Sequence, residues 1–209
     1  MKILLIDNHD SFVYNITGSL KTIRAGGYQD LRWDVVRNDV IPDGPLQDYD
    51  AVILSPGPGL PEEANGLMAL MRRIAGTHPV LGICLGCQAL AVHFGARLRR
   101  LDNPRHGHMS RLKDVDPSDP VVGCVSENGG EVGRYHSWVV DEETVPSCLI
   151  VTSRDEDGDI MSLRHESLPL YGVQFHPESM ITRNGDAMIR GFLEVCSLRE
   201  RLKFRERLK

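Results

Sequence analysis

The first half of the chain alternates short, continuous apolar runs with segments whose apolar residues recur at helical spacing. The run at 2–7 is rich in Ile and Leu, which is typical of a strand buried on both faces. The next segment predicts a helix, with Asp10 or Ser11 as its N-cap. Its apolar positions are Phe12, Ile16, Leu20 and Ile23. The chain therefore begins with a strand followed by a helix.

The same alternation continues to about the middle of the chain. Apolar runs at 31–39, 49–59 and 79–84 predict three more strands. A second helix is marked by Leu67, Leu70, Met71 and Ile74. A short third helix is predicted within 88–96, with Gly95 as the residue that ends it. Because buried strands alternate with helices, we predict an α/β fold with a parallel sheet covered on both faces and built by right-handed crossovers.

The second half of the chain has shorter, more polar strands separated by turns such as Asp155–Asp159. This pattern predicts antiparallel β-hairpins added to the sheet. The last core strand is predicted at 170–175, and a final helix at 185–198. We predict one domain over residues 1–198. A basic tail, 199–209, is predicted to extend the last helix as a solvated face or, alternatively, to bind a partner.

Composition and charge exclude several classes of protein. A chain of 209 residues with 41% apolar residues can form one sizeable core. Its net charge of -5 disfavours a nucleic-acid binder that neutralises phosphates. No apolar run approaches the roughly 20 residues of a membrane span, and the amino terminus turns polar too early for a signal peptide. We therefore expect a cytoplasmic protein with no membrane segment, whose five cysteines are free thiols.

Two of these cysteines lie three positions apart where a predicted strand meets a helix. The sequence Gly82-Ile83-Cys84-Leu85-Gly86 has the Gly-x-nucleophile-x-Gly pattern of a sharp strand-to-helix turn. A helix that begins directly afterwards favours the thiolate form of Cys84 through its dipole. Cys87, one turn further on, is predicted to be a packed residue. The alternatives are a redox or zinc pair and two ordinary core cysteines.

A base and a carboxylate follow the last predicted strand. A cysteine nucleophile needs a base, and ideally a carboxylate that orients this base. In an extended segment, His176 and Glu178 would point the same way, because side chains alternate along a strand. A third loop after a strand, Ser55–Glu63, places glycines between prolines and so exposes backbone amides to a ligand. Three special loops, each after a strand, indicate one site.

These motifs, GICLGCQAL, SPGPG, RYHSW and HPES, resemble in order and spacing those of the class I glutamine amidotransferases. The resemblance covers essentially the whole chain. It implies a flavodoxin-like α/β fold and a Cys-His-Glu catalytic triad. The opening LLIDNHDSFVYN is similar to that of the amidotransferase components that serve anthranilate synthase and aminodeoxychorismate synthase.

The resemblance also implies a role for each matching residue. Cys84 would be the nucleophile, His176 the base and Glu178 its orienting partner. The backbone N–H groups of Gly57 and Leu85 would stabilise the oxyanion. The residues implied to bind the substrate L-glutamine are Gly57, Gly59, Gln88, Ser137 and Trp138. The chain departs from the family pattern at three places, which are Cys87 (usually His), Trp138 (usually Leu) and the loop Arg105–His108 (usually His-Gly-Lys).

The implied reaction is hydrolysis of glutamine through a cysteine thioester, with ammonia passed to a separate chorismate-binding synthase subunit. This half-reaction needs no metal or organic cofactor, and Mg²⁺ is expected on the synthase partner. The product would be anthranilate or 4-amino-4-deoxychorismate, and the sequence leaves this choice open. Two other functions remain, a γ-glutamyl hydrolase or other Cys-His hydrolase, and an inactive binding subunit.

Overall fold

The computed structural model describes residues 1–41, 44, 46–125 and 130–207, with side chains as far as Arg199 in the last helix. The strands are β1 (Lys2–Asp7), β2 (Arg32–Arg37), β3 (Ala51–Leu54), β4 (Val80–Ile83), β5 (Leu98–Arg100), β6 (His108–Arg111), β7 (Glu131–Arg134), β8 (Trp138–Val140), β9 (Leu149–Arg154), β10 (Ile160–His165) and β11 (Leu170–Val173). The helices are α1 (Val13–Ala25), α2 (Leu67–Ile74), α3 (Leu85–His93) and α4 (Gly185–Arg207).

A seven-stranded sheet in the order β2-β1-β3-β4-β11-β10-β9 forms the centre of the molecule. The first five of these strands are parallel, and β10 and β9 continue the sheet in antiparallel pairing. Two small antiparallel pairs, β5 with β8 and β6 with β7, lie outside the main sheet. The prediction of a mostly parallel α/β sheet with added antiparallel strands is confirmed.

Helices cover both faces of the sheet because its central parallel strands β1, β3 and β4 are apolar on both sides. One apolar cluster joins the sheet to α1 and α4 through residues such as Ile16, Leu20 and Phe192. A second cluster joins the opposite face to α2 and α3 through residues such as Leu70 and Leu90. Both core strands next to the chemistry, β3 and β4, are buried along their whole length. Two of the loops that form the site described below therefore follow fully buried strands.

Several element boundaries differ from the sequence prediction. Helix α1 begins at Val13, and Phe12 is its N-cap, without a side-chain capping bond. The Asp10 carboxylate instead accepts the Phe12 N–H at 2.8 Å, one step before the helix. Helix α3 begins at Leu85 rather than at residue 88, because the sharp turn falls at Cys84. Strand β11 ends at Val173, two residues early, since the chain turns there towards the site.

The last helix extends past residue 198 into the basic tail, as the sequence predicts. The backbone of α4 stays helical through Arg207, so it continues across position 198 without a break. The prediction that the tail 199–209 presents a solvated face or binds a partner concerns side chains that, except for Arg199, lie outside the described part of the structure. The division into a domain and a tail also stays a prediction. Within the described part of the chain, no helix is both long enough and apolar enough to cross a membrane.

Candidate active site

The residues singled out in the sequence gather at one edge of the sheet. Strands β1, β3, β4 and β11 run parallel side by side, so the loops that follow them meet at their carboxyl ends. These loops carry Asn8, Gly57, Cys84 and His176 in that spatial order. Four segments far apart in the chain thus become neighbours.

Cys84 lies on a strained turn between β4 and α3. Its φ angle of 53° falls in the left-handed region, which residues with a side chain rarely adopt. The Cys84 N–H donates to the Val173 carbonyl at 2.8 Å and so ties the turn to β11. As the N-cap of α3, Cys84 also lies at the positive end of the helix dipole. The predicted strand-to-helix turn is present, with Cys84 at its apex.

Glycine is required beside this turn for reasons of space. A Cβ atom on Gly86 would lie 2.5 Å from the carbonyl oxygen of Leu54 on β3. Such a distance is far shorter than any van der Waals contact, and a backbone carbonyl cannot swing away. The helix α3 can therefore start directly against the sheet only with glycine at this position.

Cys87 has a different environment from Cys84. It is fully buried in the second apolar cluster, and burial together with the nearby Cys84 raises the pKa of its thiol far above the ordinary value. Its Sγ atom fills the space where a Cβ of Gly172 would be, 2.7 Å from that point. Within the described residues, neither cysteine belongs to a group of three metal-binding side chains. Cys87 is thus a packed, neutral thiol.

The predicted base and carboxylate are in direct contact. Nδ1 of His176 and Oε1 of Glu178 are 2.8 Å apart, and both side chains are buried. The prediction of an extended segment between them is wrong. Residues 176–179 form a turn, in which the Ser179 N–H donates to the His176 carbonyl at 3.1 Å. Pro177 occupies the second position of this turn, where its fixed φ angle fits. The turn, rather than strand alternation, brings the carboxylate to the ring.

The proton on His176 is held by its two charged neighbours. Burial by itself would lower the pKa of this imidazole, but Cys84 and Glu178 together outweigh burial and raise the pKa of His176 to about 10. With Nδ1 bound to Glu178, Nε2 is the nitrogen left for the Cys84 thiol. At neutral pH the ring is an imidazolium whose Nε2–H is available for proton transfer.

Gly57 and Leu85, whose backbone N–H groups are expected to bind an oxyanion, are neighbours through the Leu85 side chain. A Cβ on Gly57 would be 2.6 Å from Cδ2 of Leu85 and from Cβ of Asn8, so the glycine packs tightly between them. Leu85 is the first residue of α3, and the first N–H groups of a helix have no partner within it. Asn8 fixes the opposite loop, since its Nδ2 donates to the Ser55 carbonyl at 2.8 Å.

Of the residues expected to bind glutamine, two are in direct contact. Nε2 of Gln88 donates to the Trp138 carbonyl at 2.9 Å and to Oε1 of Gln174 at 3.1 Å. Gly59 is exposed in the loop that carries Gly57, with a left-handed φ of 75°. Ser137 is half-buried in the turn before Trp138, and its carbonyl accepts the Leu101 N–H at 2.8 Å.

Three further side chains at the site were not singled out from the sequence. Gln174 is fully buried, and its Nε2 lies 3.6 Å from Sγ of Cys84. The rings of Phe12 and Tyr135 lie 4.9 Å and 4.8 Å from the His176 ring, both edge to face. A signal existed for Gln174, because it comes two residues before His176 at the same strand end. Phe12 was predicted as an apolar position of the first helix, and only the tertiary structure shows that its ring contacts His176.

One acidic cluster could in principle hold a cation. Carboxylate oxygens of Asp155, Asp157 and Asp159 lie within 4.8 Å of one another. Each of these carboxylates pairs with arginine, however, and the arginines are Arg99, Arg105 and Arg134. The cluster is therefore already neutralised by side chains of the protein, and it gives no reason to place a metal there.

Comparison with known proteins identifies a matching family and related sequences. A family model described as glutamine amidotransferase class-I matches residues 4–196. The aminodeoxychorismate/anthranilate synthase component 2 of Bacillus subtilis is 39% identical over 195 residues, covering 92% of this chain and 96% of that protein. The aminodeoxychorismate synthase component 2 of Klebsiella aerogenes is 38% identical over 191 residues, covering 91% and 98%.

A solved structure has the same fold. It is a Thermoplasma acidophilum protein whose name assigns it provisionally to a GMP synthase, and it superposes with a TM-score of 0.84 over 97% of both chains. Its sequence identity is 23%, so this likeness concerns the fold alone.

Proposed function

Because this chain belongs to the class-I glutamine amidotransferases, we propose that it is the glutaminase subunit of a chorismate-aminating synthase. In this function it hydrolyses glutamine through a thioester on Cys84. The ammonia passes to a separate synthase subunit, which makes anthranilate or 4-amino-4-deoxychorismate. The names of the relatives support this assignment, and the Bacillus subtilis name covers both products. The choice between the products belongs to the synthase, which is where chorismate binds.

The observation that carries the proposal is the contact between His176 and Glu178 beside Cys84. The carboxylate holds Nδ1 of the imidazolium at 2.8 Å and leaves Nε2 for the thiol. A buried thiol on a strained turn, a charged imidazole and a buried carboxylate match the requirements of nucleophilic catalysis by cysteine. This arrangement favours an active glutaminase over an inactive binding subunit.

The first chemical step follows from this geometry. The Cys84 thiolate attacks the carboxamide carbon of glutamine, a C–S bond forms, and the negative charge moves to the carboxamide oxygen. The N–H groups of Gly57 and Leu85 stabilise this oxygen, a contribution that is typically about 10²–10³ in rate per donor. The His176 Nε2–H then protonates the nitrogen, the C–N bond breaks, and ammonia leaves with the thioester in place.

The second step reverses the role of His176. Once the sulfur is acylated, Cys84 no longer carries the negative charge that raises the pKa of the imidazole. His176 can then accept a proton from water, and the hydroxide attacks the thioester carbonyl. The products are glutamate and the free thiol, so the cycle closes with one glutamine and one water consumed. Loss and recovery of one charge on sulfur thus switches the histidine between acid and base.

The proposed chemistry uses only side chains and backbone groups of this chain, and the expected Mg²⁺ belongs to the synthase partner. We also place the protein in the cytoplasm, where thiols stay reduced, since all five cysteines are free. Ammonia has to reach the partner before it is protonated by water. Two exposed apolar side chains suit a protein partner near Glu178. Met180, two residues after Glu178, is 98% exposed, and Tyr14, which precedes Asn15, is 78% exposed. The Asn15 Nδ2 donates to the Glu178 carbonyl at 3.4 Å.

The proposal is tested by measuring glutamate release by the purified chain, alone and with the chorismate-binding component of each synthase. We expect glutamate release to rise when the correct synthase and chorismate are present, together with glutamine-dependent formation of one aminated product. Cys84→Ala should remove this release, whereas ammonium salts should still support amination by the synthase. Turnover without any response to either synthase would instead indicate a stand-alone hydrolase, and no turnover in any mixture would indicate an inactive binding subunit.

A further inference from the structure

A chain of buried hydrogen bonds connects the acidic turn after β9 to Trp138 and Gln88, which form one wall of the candidate glutamine site. It starts at Arg134, whose side chain is fully buried at the end of β7. The guanidinium pairs with Asp155 and, at 3.0 Å, with Asp159. Its remaining Nε–H donates to Nε2 of His136 at 3.1 Å. Both carboxylates belong to the β9–β10 turn, so this turn fixes the guanidinium and, through it, the imidazole.

The protonation of the His136 ring is set by its two partners. A guanidinium only donates, so Nε2 must be the bare nitrogen that accepts from Arg134. A peptide carbonyl only accepts, so Nδ1 must carry the proton that is donated to the Trp138 carbonyl, 3.0 Å away. The ring is therefore held neutral and in one tautomer. Burial and the charge of Arg134 agree with this, since they lower the pKa of His136 to about 3.

The Trp138 carbonyl connects this ring to the site. It accepts one hydrogen bond from His136 and a second from Nε2 of Gln88 at 2.9 Å. The second proton of the Gln88 amide goes to Gln174, which in turn contacts the sulfur of Cys84. With both of its N–H groups engaged, Gln88 has its carbonyl oxygen left to bind a substrate. Any rotation of the Trp138 peptide would break the bond that gives Gln88 this orientation.

We propose that His136 is a positioning residue for substrate binding, which fixes the Trp138 peptide and, through it, the side chain of Gln88. The inference rests on the proposed function, because it takes glutamine as the molecule that this wall binds. His136 itself does not touch the reacting atoms. Its effect should therefore fall on KM for glutamine and not on kcat.

Two substitutions divide the contacts of the ring between them. In His136→Asn, the amide occupies the place of Nδ1 and can donate to the Trp138 carbonyl, while the bond to Arg134 is lost. In His136→Gln, the amide reaches the place of Nε2 and can accept from Arg134, while the bond to Trp138 is lost. Each variant removes the same ring and one of two buried hydrogen bonds, so a purely structural role predicts similar changes.

The experiment measures kcat and KM for glutamine in both variants, with the synthase partner at saturation. We expect His136→Gln to raise KM about tenfold, as for loss of one buried hydrogen bond, and His136→Asn to stay within about threefold of wild type. Equal KM values in the two variants, with wild-type turnover intact, would overturn the inference alone. Wild-type protein that neither binds nor hydrolyses glutamine would overturn the proposed function and the inference together.

A second measurement needs no substitution and so does not depend on how the variants fold. The ¹⁵N chemical shifts of the His136 ring in the wild-type protein report which nitrogen carries a proton. We expect a protonated Nδ1 and a bare Nε2, unchanged down to pH 5. A protonated Nε2, or a ring that titrates near its ordinary pKa, would contradict the proposed connection between Arg134 and Trp138.

Discussion

Gly82 and Gly86 meet face to face across the turn that holds Cys84, because a Cβ on Gly82 would lie only 2.4 Å from the carbonyl carbon of Gly86. These two glycines are required because there is no space for a side chain, and not because the backbone must be flexible. They allow the end of β4 and the start of α3 to touch, and this contact forces Cys84 into its strained conformation. The shape of the turn is set by the absence of two side chains.

Gly86→Ala is expected to destabilise the protein by about 1–3 kcal/mol, because the new methyl group meets the Leu54 carbonyl, which cannot move aside. Glutamine turnover should fall even under conditions where the variant is fully folded, since the turn places both Cys84 and the Leu85 N–H. Urea unfolding and a glutaminase assay at a temperature where the variant is folded measure the two effects. Gly18→Ala in α1 is the control, because no atom beyond its own stretch of helix backbone would lie within 4 Å of the new methyl group, and it should stabilise by about 0.5–1 kcal/mol.

The two cysteines should respond differently to a reactive glutamine analogue such as 6-diazo-5-oxo-L-norleucine. Labelling, followed by intact mass and peptide mapping, is expected in the wild type and in Cys87→Ser, and should be absent in Cys84→Ser. The Cys87→Ser protein should be less stable by about 1–3 kcal/mol, because a hydroxyl replaces a thiol in an apolar cluster. A label attached to Cys87 in the wild type would contradict the assigned nucleophile.

The rate of this labelling should depend on the proton of His176. Attack by the thiolate benefits from the imidazolium, and the pKa of His176 is raised to about 10. The labelling rate should therefore stay high through pH 9 and fall as the pH rises through about 10, rather than near the ordinary value of 6.5 for histidine. A pH series of single-turnover labelling gives the midpoint. A fall centred on pH 6.5 would show that the charged neighbours do not hold the proton.

Glu178→Gln should move that alkaline limit to lower pH. The neutral amide can still accept a hydrogen bond from Nδ1, but it no longer contributes the negative charge that raises the pKa of His176. The same pH series measures the shift, and turnover at pH 8 should fall by about tenfold or more, in proportion to typical general acid-base contributions. Glu131→Gln is a control at a partly exposed carboxylate that pairs with Arg183, and it should leave the limit unchanged.

Met180 should contribute to contact with the synthase. It is 98% exposed, and it lies two residues after Glu178. Met180→Asp is expected to weaken stimulation of glutaminase activity by the synthase about tenfold or more, as for an apolar interface residue, and to leave labelling of the free chain unchanged. Titration of the partner measures the effect. Leu198→Asp, an exposed apolar position on α4, is the matched control and should leave the titration unaltered.

The core of the fold was largely predictable because β1, β3 and β4 are apolar on both faces and α1 and α2 are amphipathic. The periodicity that marks α2 is a property of a few neighbouring residues, and it survives in the structure at the same positions. Boundaries were less predictable, since they depend on contacts made elsewhere. The start of α3 is one example, because it is set by the Leu54 carbonyl on another strand.

The candidate site was partly predictable for a related reason. Cys84, His176 and Glu178 each stand out in their own short motif, and the parallel sheet brings their loops to one edge. The roles of Arg134, His136 and Gln174 could not be predicted, because these roles depend on which residues the side chains contact in the folded chain. Arg134 is the last residue of β7, and only the β9–β10 turn explains why a charged side chain is buried there. Such pairings are tertiary facts without a local sequence signal.

Strand β11 joins the sheet between β4 and β10, although it is the last strand along the described chain. Cys84 therefore receives its backbone partner Val173 and its neighbour Gln174 from about ninety residues further on. While the chain is being synthesised, the thiol leaves the ribosome long before its base does. If Cys84 and His176 act as proposed, a chain that stops before β11 lacks the base and is expected not to hydrolyse glutamine. On the proposed mechanism, we therefore expect glutamine hydrolysis to require the complete central sheet.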